Sequence, residues 1–251
     1  MPEKGKAFIA ELMRTNPSWE VLVWGPDESR ALIATHYPSF VHLYDNFEHP
    51  IQRSDFSRYA ILYHFGGVYM DMDYRVKKPL DDIMEYVLRT QPGKVSFVNE
   101  SPNNFLMRRL SNSFMIAAVP KHDWWMHVMN TASNGVGLTP HVKVLSSTGP
   151  QMIDKAYSTY NNLNRAQVGI LPMAVFNPCG VCCLGTSCSK GDGVLAVHKH
   201  AGAWNQNASL VYNKMLCQKW WILAVFFLSV AFIIALVYAV LYSRRRAVQG
   251  K

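Results

Sequence analysis

One α/β domain followed by a single C-terminal membrane helix is the fold class that the sequence predicts. Three observations predict it. Apolar residues alternate between helical and extended spacing over residues 6–198, with no internal repeat and no low-complexity linker. A run of 23 residues, 220–242, carries no charge. The mean hydropathy of -0.01 is too high for most soluble proteins and too low for a polytopic membrane protein, so it averages two unlike parts. The 251 residues suffice for one domain with a sizeable core plus an appendage. With 49% apolar and 17% charged residues, disordered and collagen-like chains are excluded.

Taken in order, residues 6–14 read as a helix and residues 20–24 (EVLVW) as a short buried strand. Asp27 is placed to cap a helix that runs to about Thr35. Residues 54–64 read as a helix whose apolar stripe is Phe56, Ala60 and Tyr63. Gly66-Gly67 ends that helix, and residues 68–72 make a brief strand. Later strands are expected over 94–98, 114–119, 168–173 and 194–198, and helices over 122–131 and 151–161. The resulting division is a domain over 1–205, a juxtamembrane stalk over 206–219, a membrane helix over 220–242 and a basic tail over 243–251.

The uncharged run is long enough to span. At 1.5 Å per residue it makes a helix of roughly 34 Å, against a hydrocarbon core of about 30 Å. Trp220, Trp221, Tyr238 and Tyr242 sit where aromatic belts form, and Arg244, Arg245 and Arg246 follow at once. Buried core helices rarely run this far without one polar face. Four of the 25 bases lie beyond the run, leaving 21 bases against 17 acids, or +4, for residues 1–219. So small an excess, with no basic run interleaved with aromatics, makes nucleic acid an unexpected partner. The positive tail favours a cytosolic C-terminus and a lumenal domain, an inference weakened by Lys214 and Lys219 on the other flank. The opening MPEKGKAFIAELMRTNP is amphipathic and lacks the apolar core of a signal peptide. Either the protein is tail-anchored with a cytosolic domain, or a lumenal domain requires a chain that begins further upstream, and the motifs below favour the second.

Two sequons, Asn99-Glu100-Ser101 and Asn207-Ala208-Ser209, would be usable in a lumen. Cys179, Cys182, Cys183 and Cys188 crowd into NPCGVCCLGTSC, and Cys217 stands just before the apolar run. Zinc sites usually pair two separated ligand couples, and this cluster lacks the second, so disulfides or free thiols are favoured. Cys217 is a candidate for juxtamembrane acylation.

The chemistry concentrates in residues 53–73, RSDFSRYAILYHFGGVYMDMD. Asp55, Arg58 and Leu62 stand at helical spacings of three and four, which puts acid and base on one face. Asp71 and Asp73 flank Met72, and in an extended chain residues i and i+2 point the same way, so both carboxylates can converge on one ligand. Two hard oxygen donors beside a diphosphate suit Mg²⁺ or Mn²⁺. An Asp-X-Asp alone is a weak signal, and phosphohydrolases of the aspartyl-phosphate type also carry one. Here Tyr74-Arg75 follows the pair, and no later acidic pair completes such a site.

The longer string Ser54-Asp55-x-x-Arg58-Tyr59-x-x-Leu62-x-x-x-Gly66-Gly67-x-Tyr69-x-Asp71-x-Asp73 resembles the donor-binding segment of glycosyltransferase family 32, the transferases with a DXD sugar-binding motif. Further blocks follow in the family's order. Asn16-Pro17-x-x-Glu20 leads to Trp24, and Leu110-Ser111-Asn112-Ser113-Phe114-Met115 is similar to the central block of the inositol phosphorylceramide mannosyltransferases. Thr148-Gly149-Pro150 matches the family's TGP turn, and residues 198–204 resemble its closing His-to-Trp block.

The resemblance implies a GT-A-like nucleotide-sugar-binding fold and retaining transfer of a hexose. The reaction it favours is mannose from GDP-mannose to a sphingolipid-type acceptor such as inositol phosphorylceramide, in a Golgi or endoplasmic reticulum membrane. A UDP-hexose donor with a glycan or glycolipid acceptor is the enzymatic alternative. A catalytically silent relative that binds a partner transferase is the non-enzymatic one. Carried over by residue, Asp55 and Arg58 would hold sugar hydroxyls and the diphosphate, within a donor-binding segment that includes Tyr59 and Gly67. Asp71 would touch ribose and sugar, Asp73 would ligate the metal, and His198 would be a second metal or diphosphate contact. Asn112 would reach the donor sugar or the acceptor, and Trp204 would cover the phosphates. Asp71, Asp73 and Arg58 form the implied catalytic set. The chain departs from the family's pattern twice. It opens after the family's first strand and base-contacting segment, so one sheet element is expected to be missing, and Ala203 stands where the family usually has Ser.

Overall fold

A computed structural model describes residues 3–101, 110–137, 139–180, 191–199 and 220–249. It divides into two compact units, residues 1–204 and 205–251. The first is a mixed α/β unit built on a four-stranded sheet.

Helix α1 (Glu3–Thr15) leads into an extended stretch, and α2 (Pro26–His36) follows. Gly25, not Asp27, is the N-cap of α2; Pro26 occupies its first position, and Asp27 lies in the first turn with Glu28, where acidic side chains complement the helix dipole. A 3₁₀ turn (Pro38–Phe40) and the short α3 (Val41–Asp45) lead to α4 (Pro50–Phe65). Pro50 starts α4, and the Gln52 side chain accepts from the His49 backbone N–H at 2.8 Å. Gly66 stops α4 at φ 72°, ψ -155°, a conformation essentially closed to side-chain-bearing residues.

Strands β1 (Gly67–Met70) and β2 (Tyr74–Val76) then precede α5 (Leu80–Thr90), β3 (Ser96–Glu100) and β4 (Leu110–Ala117). Helices α6 (Asp123–Thr131), α7 (Pro140–Ser147), α8 (Pro150–Thr159) and α9 (Asn162–Arg165) come next. β5 (Val168–Leu171), α10 (Met173–Phe176) and β6 (Ala196–His198) complete the unit among the described residues.

The main sheet runs β1-β4-β3-β5, antiparallel except for the parallel β3–β5 pair. β2 and β6 form a separate antiparallel ribbon, with Tyr74 opposite His198. Alternation along the strands divides the core. Val98, Met115 and Ala117 join Ile33, Phe56, Tyr59, Trp124 and Trp125 on the α2, α4 and α6 side. Phe97, Phe114 and Ile116 join Phe8, Leu12, Ile83, Val87 and Phe176 on the α1, α5 and α10 side.

One irregularity interrupts the β3–β4 ladder. Val98 pairs with Met115, but Asn99 pairs with Ser111, so Asn112, Ser113 and Phe114 bulge out of register. The side-chain Oδ1 of Asn99 accepts from the Phe114 N–H at 3.3 Å and fills the gap left in the ladder.

Two expectations need correction. Residues 20–24 form no strand; Leu22 and Val23 are exposed, and among the described residues the segment has no ladder partner. A β-favouring run becomes a strand only when another strand's N–H and C=O groups face it. Met72 and Asp73 are not the end of a strand either but a turn between β1 and β2, closed by the Tyr74 N–H donating to the Asp71 carbonyl at 2.9 Å. Helices α3, α5, α7, α9 and α10 and the β2 strand were not expected.

In the second unit, α11 (Trp220–Gln249) runs beyond the apolar stretch and through the three arginines. Its Leu223–Val240 window has a mean hydropathy of 2.8 and no buried residues, so by length and composition it can cross a membrane.

Candidate active site

The site lies where β1 ends. Gly66 turns the chain from α4 into β1, which lies along β4, and the Asp71 N–H donates to the Ser113 carbonyl at 2.9 Å. That bond anchors the first residue of the 71–74 turn to the bulged part of β4. At the other end of the turn, the Asp73 carbonyl accepts from the Lys199 N–H at 3.0 Å, tying Asp73 to the strand that carries His198.

Beneath the turn is a buried polar network. Asp55 and Arg58, one helical turn apart on α4, form an ion pair at 2.6 Å with side chains 7% and 4% exposed. Arg58 Nη1 reaches Asp71 Oδ1 at 3.1 Å and also donates to the Asn112 carbonyl at 2.7 Å. The bulge makes this last bond available, because Asn112 is out of register with β3. The guanidinium lies over the Tyr69 ring at 4.8 Å, and the Tyr69 hydroxyl donates to Asp71 Oδ1 at 3.0 Å. Asp55 is held further by the Thr148 hydroxyl at 3.2 Å and by Asn112 Nδ2 at 3.3 Å. Asn112 Nδ2 also donates to the Tyr59 hydroxyl at 2.8 Å, which in turn donates to the Thr148 carbonyl.

Burial sets the protonation of this network. It pushes the Asp55 carboxyl up to about 6, against the pull of the Arg58 charge. Burial also works against the Arg58 cation, but Asp71, Tyr69 and Asp55 outweigh it and hold the guanidinium charged. The Tyr59 and Tyr69 hydroxyls are pushed well above their ordinary value, chiefly by burial, and stay neutral.

Above the network stand the three groups that face outward. The side chains of Asp71, Asp73 and His198 are 27%, 24% and 15% exposed. His198 Nε2 lies 2.9 Å from Asp73 Oδ1, and one ligand atom from each of the three falls within 4.8 Å of the others. The imidazole is stacked on the buried Tyr74 ring at 4.9 Å and 11°. Two carboxylate oxygens with one imidazole nitrogen suit Mn²⁺ and, less well, Mg²⁺. An octahedral ion with bonds of about 2.1 Å sets neighbouring ligands roughly 3 Å apart, a spacing that the Asp73–His198 pair meets at 2.9 Å, with the Asp71 ligand atom within 4.8 Å of both. The Asp55 and Asp71 carboxylates share the Arg58 guanidinium and Asp73 adds a third carboxyl group, an arrangement that favours a divalent cation.

The structure thus brings together Asp55, Arg58, Tyr59, Asp71, Asp73, Asn112 and His198. It does not bring in Gly67, which opens β1 opposite Ala117 at the far end of the strand from Asp71; its φ of 86° shapes the chain's entry into the sheet. Trp204, Cys182, Cys183, Cys188, Cys217 and the Asn207 sequon lie outside the described residues. Cys179 is disulfide-bonded, which decides its part of the cysteine question against zinc. Asn99 is fully buried with its amide engaged, so its sequon is closed in the folded chain. The residues the sequence reading missed are Tyr69, Thr148 and Asn99. Tyr69 and Thr148 stood within motifs already picked out, but nothing local marked their side chains as partners of Asp71 and Asp55. A cleft of about 310 Å³ between α1 and residues 75–79 includes none of the site residues.

The fold and this site point to a class: the chain resembles the glycosyltransferases with a DXD sugar-binding region. Residues 2–88, which carry Asp55, Arg58, Asp71 and Asp73, match the model described as "Glycosyltransferase sugar-binding region containing DXD motif". Among particular proteins, the chain is similar to Inositol phosphoceramide mannosyltransferase 3 of Schizosaccharomyces pombe, at 30% identity over 173 residues, 66% of this chain and 44% of that protein. Inositol phosphoceramide mannosyltransferase 1 of the same organism is 27% identical over 181 residues, 70% and 53% of the two chains. Mannosyl phosphorylinositol ceramide synthase SUR1 of Saccharomyces cerevisiae is 24% identical over 165 residues, 64% and 39%. The chain spans about half the length of the curated relatives it matches.

Proposed function

We propose that this chain is the transferase part of a membrane-anchored, metal-dependent glycosyltransferase. In this reading it moves mannose from GDP-mannose, with retention, to a sphingolipid-type acceptor of the inositol phosphorylceramide kind. The carrying observation is the convergence of Asp71, Asp73 and His198 on one outward-facing point above the buried Asp55–Arg58–Asp71 network. Asp73, Asp71 and His198 would hold Mn²⁺ or Mg²⁺ together with the donor diphosphate. Bound there, the cation would supply Lewis-acid stabilisation of the charge that builds on the leaving diphosphate.

The chain's own residues have separable tasks. Arg58 fixes the Asp71 carboxylate from below, leaving its other oxygen for ligands, and cancels one of the negative charges that would otherwise repel the donor. Asp55, Asn112 and Thr148 hold the guanidinium and the bulge in place. His198, stacked on Tyr74, presents Nε2 toward Asp73. A front-face attack by the acceptor hydroxyl needs no protein nucleophile. The lipid acceptor rests on the activities for which the relatives are named and on the apolar α11 helix, which would keep the unit at a membrane surface. The disulfide at Cys179 supports an oxidising compartment, consistent with a Golgi or endoplasmic reticulum lumen.

The test is donor hydrolysis and transfer by the purified full chain in detergent, supplied with Mn²⁺, a panel of nucleotide sugars and inositol phosphorylceramide. GDP-mannose should be consumed and mannosylated lipid formed, and Asp73→Ala should lose at least a hundredfold in rate, as removal of a metal ligand and its charge stabilisation implies. Equal rates from wild type and Asp73→Ala would reject this site.

A further inference from the structure

We propose that Asn99 is a positioning residue that joins the two halves of the site, a proposal that rests on the metal-site reading above. The outward cluster draws on two sheets: Asp71 hangs from β4 of the main sheet, whereas His198 belongs to the β2–β6 ribbon. Asn99 touches both. Its Oδ1 accepts from the Phe114 N–H at 3.3 Å, holding the bulge whose Asn112 carbonyl takes the Arg58 hydrogen bond. Its Nδ2 donates to the Tyr74 hydroxyl at 3.1 Å, and the Tyr74 ring carries His198 on its face.

The chemistry requires an amide here. The Phe114 N–H needs an acceptor because the register shift removes its strand partner, and an unpaired buried N–H is costly. The neutral Tyr74 hydroxyl, equally buried, is hydrogen-bonded with the Ser113 side chain and takes a second bond from Asn99 Nδ2, which ties it to β3. A single side chain that accepts on one atom and donates on the other, fully buried between the two, makes both bonds. A carboxylate would add charge beneath Asp71 and Asp73, and an aliphatic residue would leave the Phe114 N–H unpaired. Asn99 contacts neither donor nor metal; it acts by fixing where Tyr74, and therefore His198, stands relative to Asp71. Groups that orient a metal ligand from behind in this way typically control metal affinity about 10- to 100-fold.

The experiment measures Mn²⁺ binding to the purified full chain in detergent, from the loss of the free-ion EPR signal, alongside thermal unfolding and donor kinetics. Tyr74→Phe removes one hydroxyl while keeping the ring under His198, so it carries the test even if Asn99→Ala folds poorly. Each single variant should weaken Mn²⁺ binding about tenfold or more and raise the Mn²⁺ needed for half-maximal rate equally, with the saturated kcat changed far less. The double variant should bind no more weakly than the worse single one, because both break the same link. Wild-type Mn²⁺ affinity in Tyr74→Phe, or full additivity in the double variant, would overturn the proposal, provided that Asp73→Ala loses binding in parallel. A wild-type chain that binds no Mn²⁺ would instead remove the metal-site reading, and this proposal with it.

Discussion

Asp55 shows how a single buried carboxyl ties the site to the stability of the fold. Its folded pKa of about 6 lies above the ordinary 3.8, so between those values the native chain binds more protons than the unfolded one. The sign follows: the contribution is fully present below about pH 4 and is lost as pH rises through about 6. Over that window it amounts to roughly 3 kcal/mol, from the two-unit shift at 1.36 kcal/mol each. Asp55→Asn has no such titration, so its urea midpoint should decline less than that of wild type between pH 4.5 and 6.5. Parallel declines in the two proteins would remove Asp55 as the cause. The residue scale is also where the sequence was most readable. The spacing of Asp55 and Arg58 on a helix implied a shared face, and they are paired. What spacing could not convey was direction: both side chains turn inward under Asp71, and the partners that hold them, Asn112 and Thr148, come from elements more than fifty and ninety residues away.

At the scale of elements, helix ends and turns decide where the carboxylates point. Gly66 and Gly67 both have positive φ, yet their surroundings differ. A Cβ at Gly66 would lie 3.1 Å from the Ala117 carbonyl and 3.3 Å from the Pro120 nitrogen, whereas one at Gly67 would meet nothing within 4 Å. Gly67→Ala should therefore cost about 1 kcal/mol of backbone strain, and Gly66→Ala roughly 2–3 kcal/mol with the added clash. Thermal unfolding of the two variants checks the order, and a Gly67 variant as damaged as the Gly66 one would contradict it. Most helices and strands were legible from periodicity to within a few residues. Three of the exceptions have physical causes. Residues 20–24 have the composition of a strand but no ladder partner among the described residues. β2 spans only Tyr74–Val76, too few residues for alternation to register. The bulge in β4 is invisible to any local pattern, because a register shift is a relation between two strands.

For the whole molecule, the two units treat their apolar residues differently. The α/β unit buries its apolar side chains on both faces of one sheet, whereas every residue of Leu223–Val240 is exposed. An uncovered apolar helix of that length is stable in hydrocarbon, where all its backbone polar groups are satisfied internally. The full chain should therefore resist extraction from membranes by alkaline carbonate. Ile234→Asp, near the middle of the span, should release a large fraction of it, since a central Asp costs about 2.5–3.5 kcal/mol of insertion. Full release of the wild-type chain would argue against a spanning α11. The long apolar helix was legible in the sequence, because an uncharged run needs no tertiary information to be recognised.

The 71–74 turn carries one more consequence. Its first residue is fastened to the four-stranded sheet and its third to the two-stranded ribbon, so the turn is the seam along which the two sheets could slide. Anything that grips Asp71 and Asp73 together is then a clasp across that seam. Occupying the site would narrow the relative motion of the sheets and raise the resistance of the unit to unfolding. Ligand binding and mechanical integrity of the α/β unit would thus be a single property, governed by the same two carboxylates.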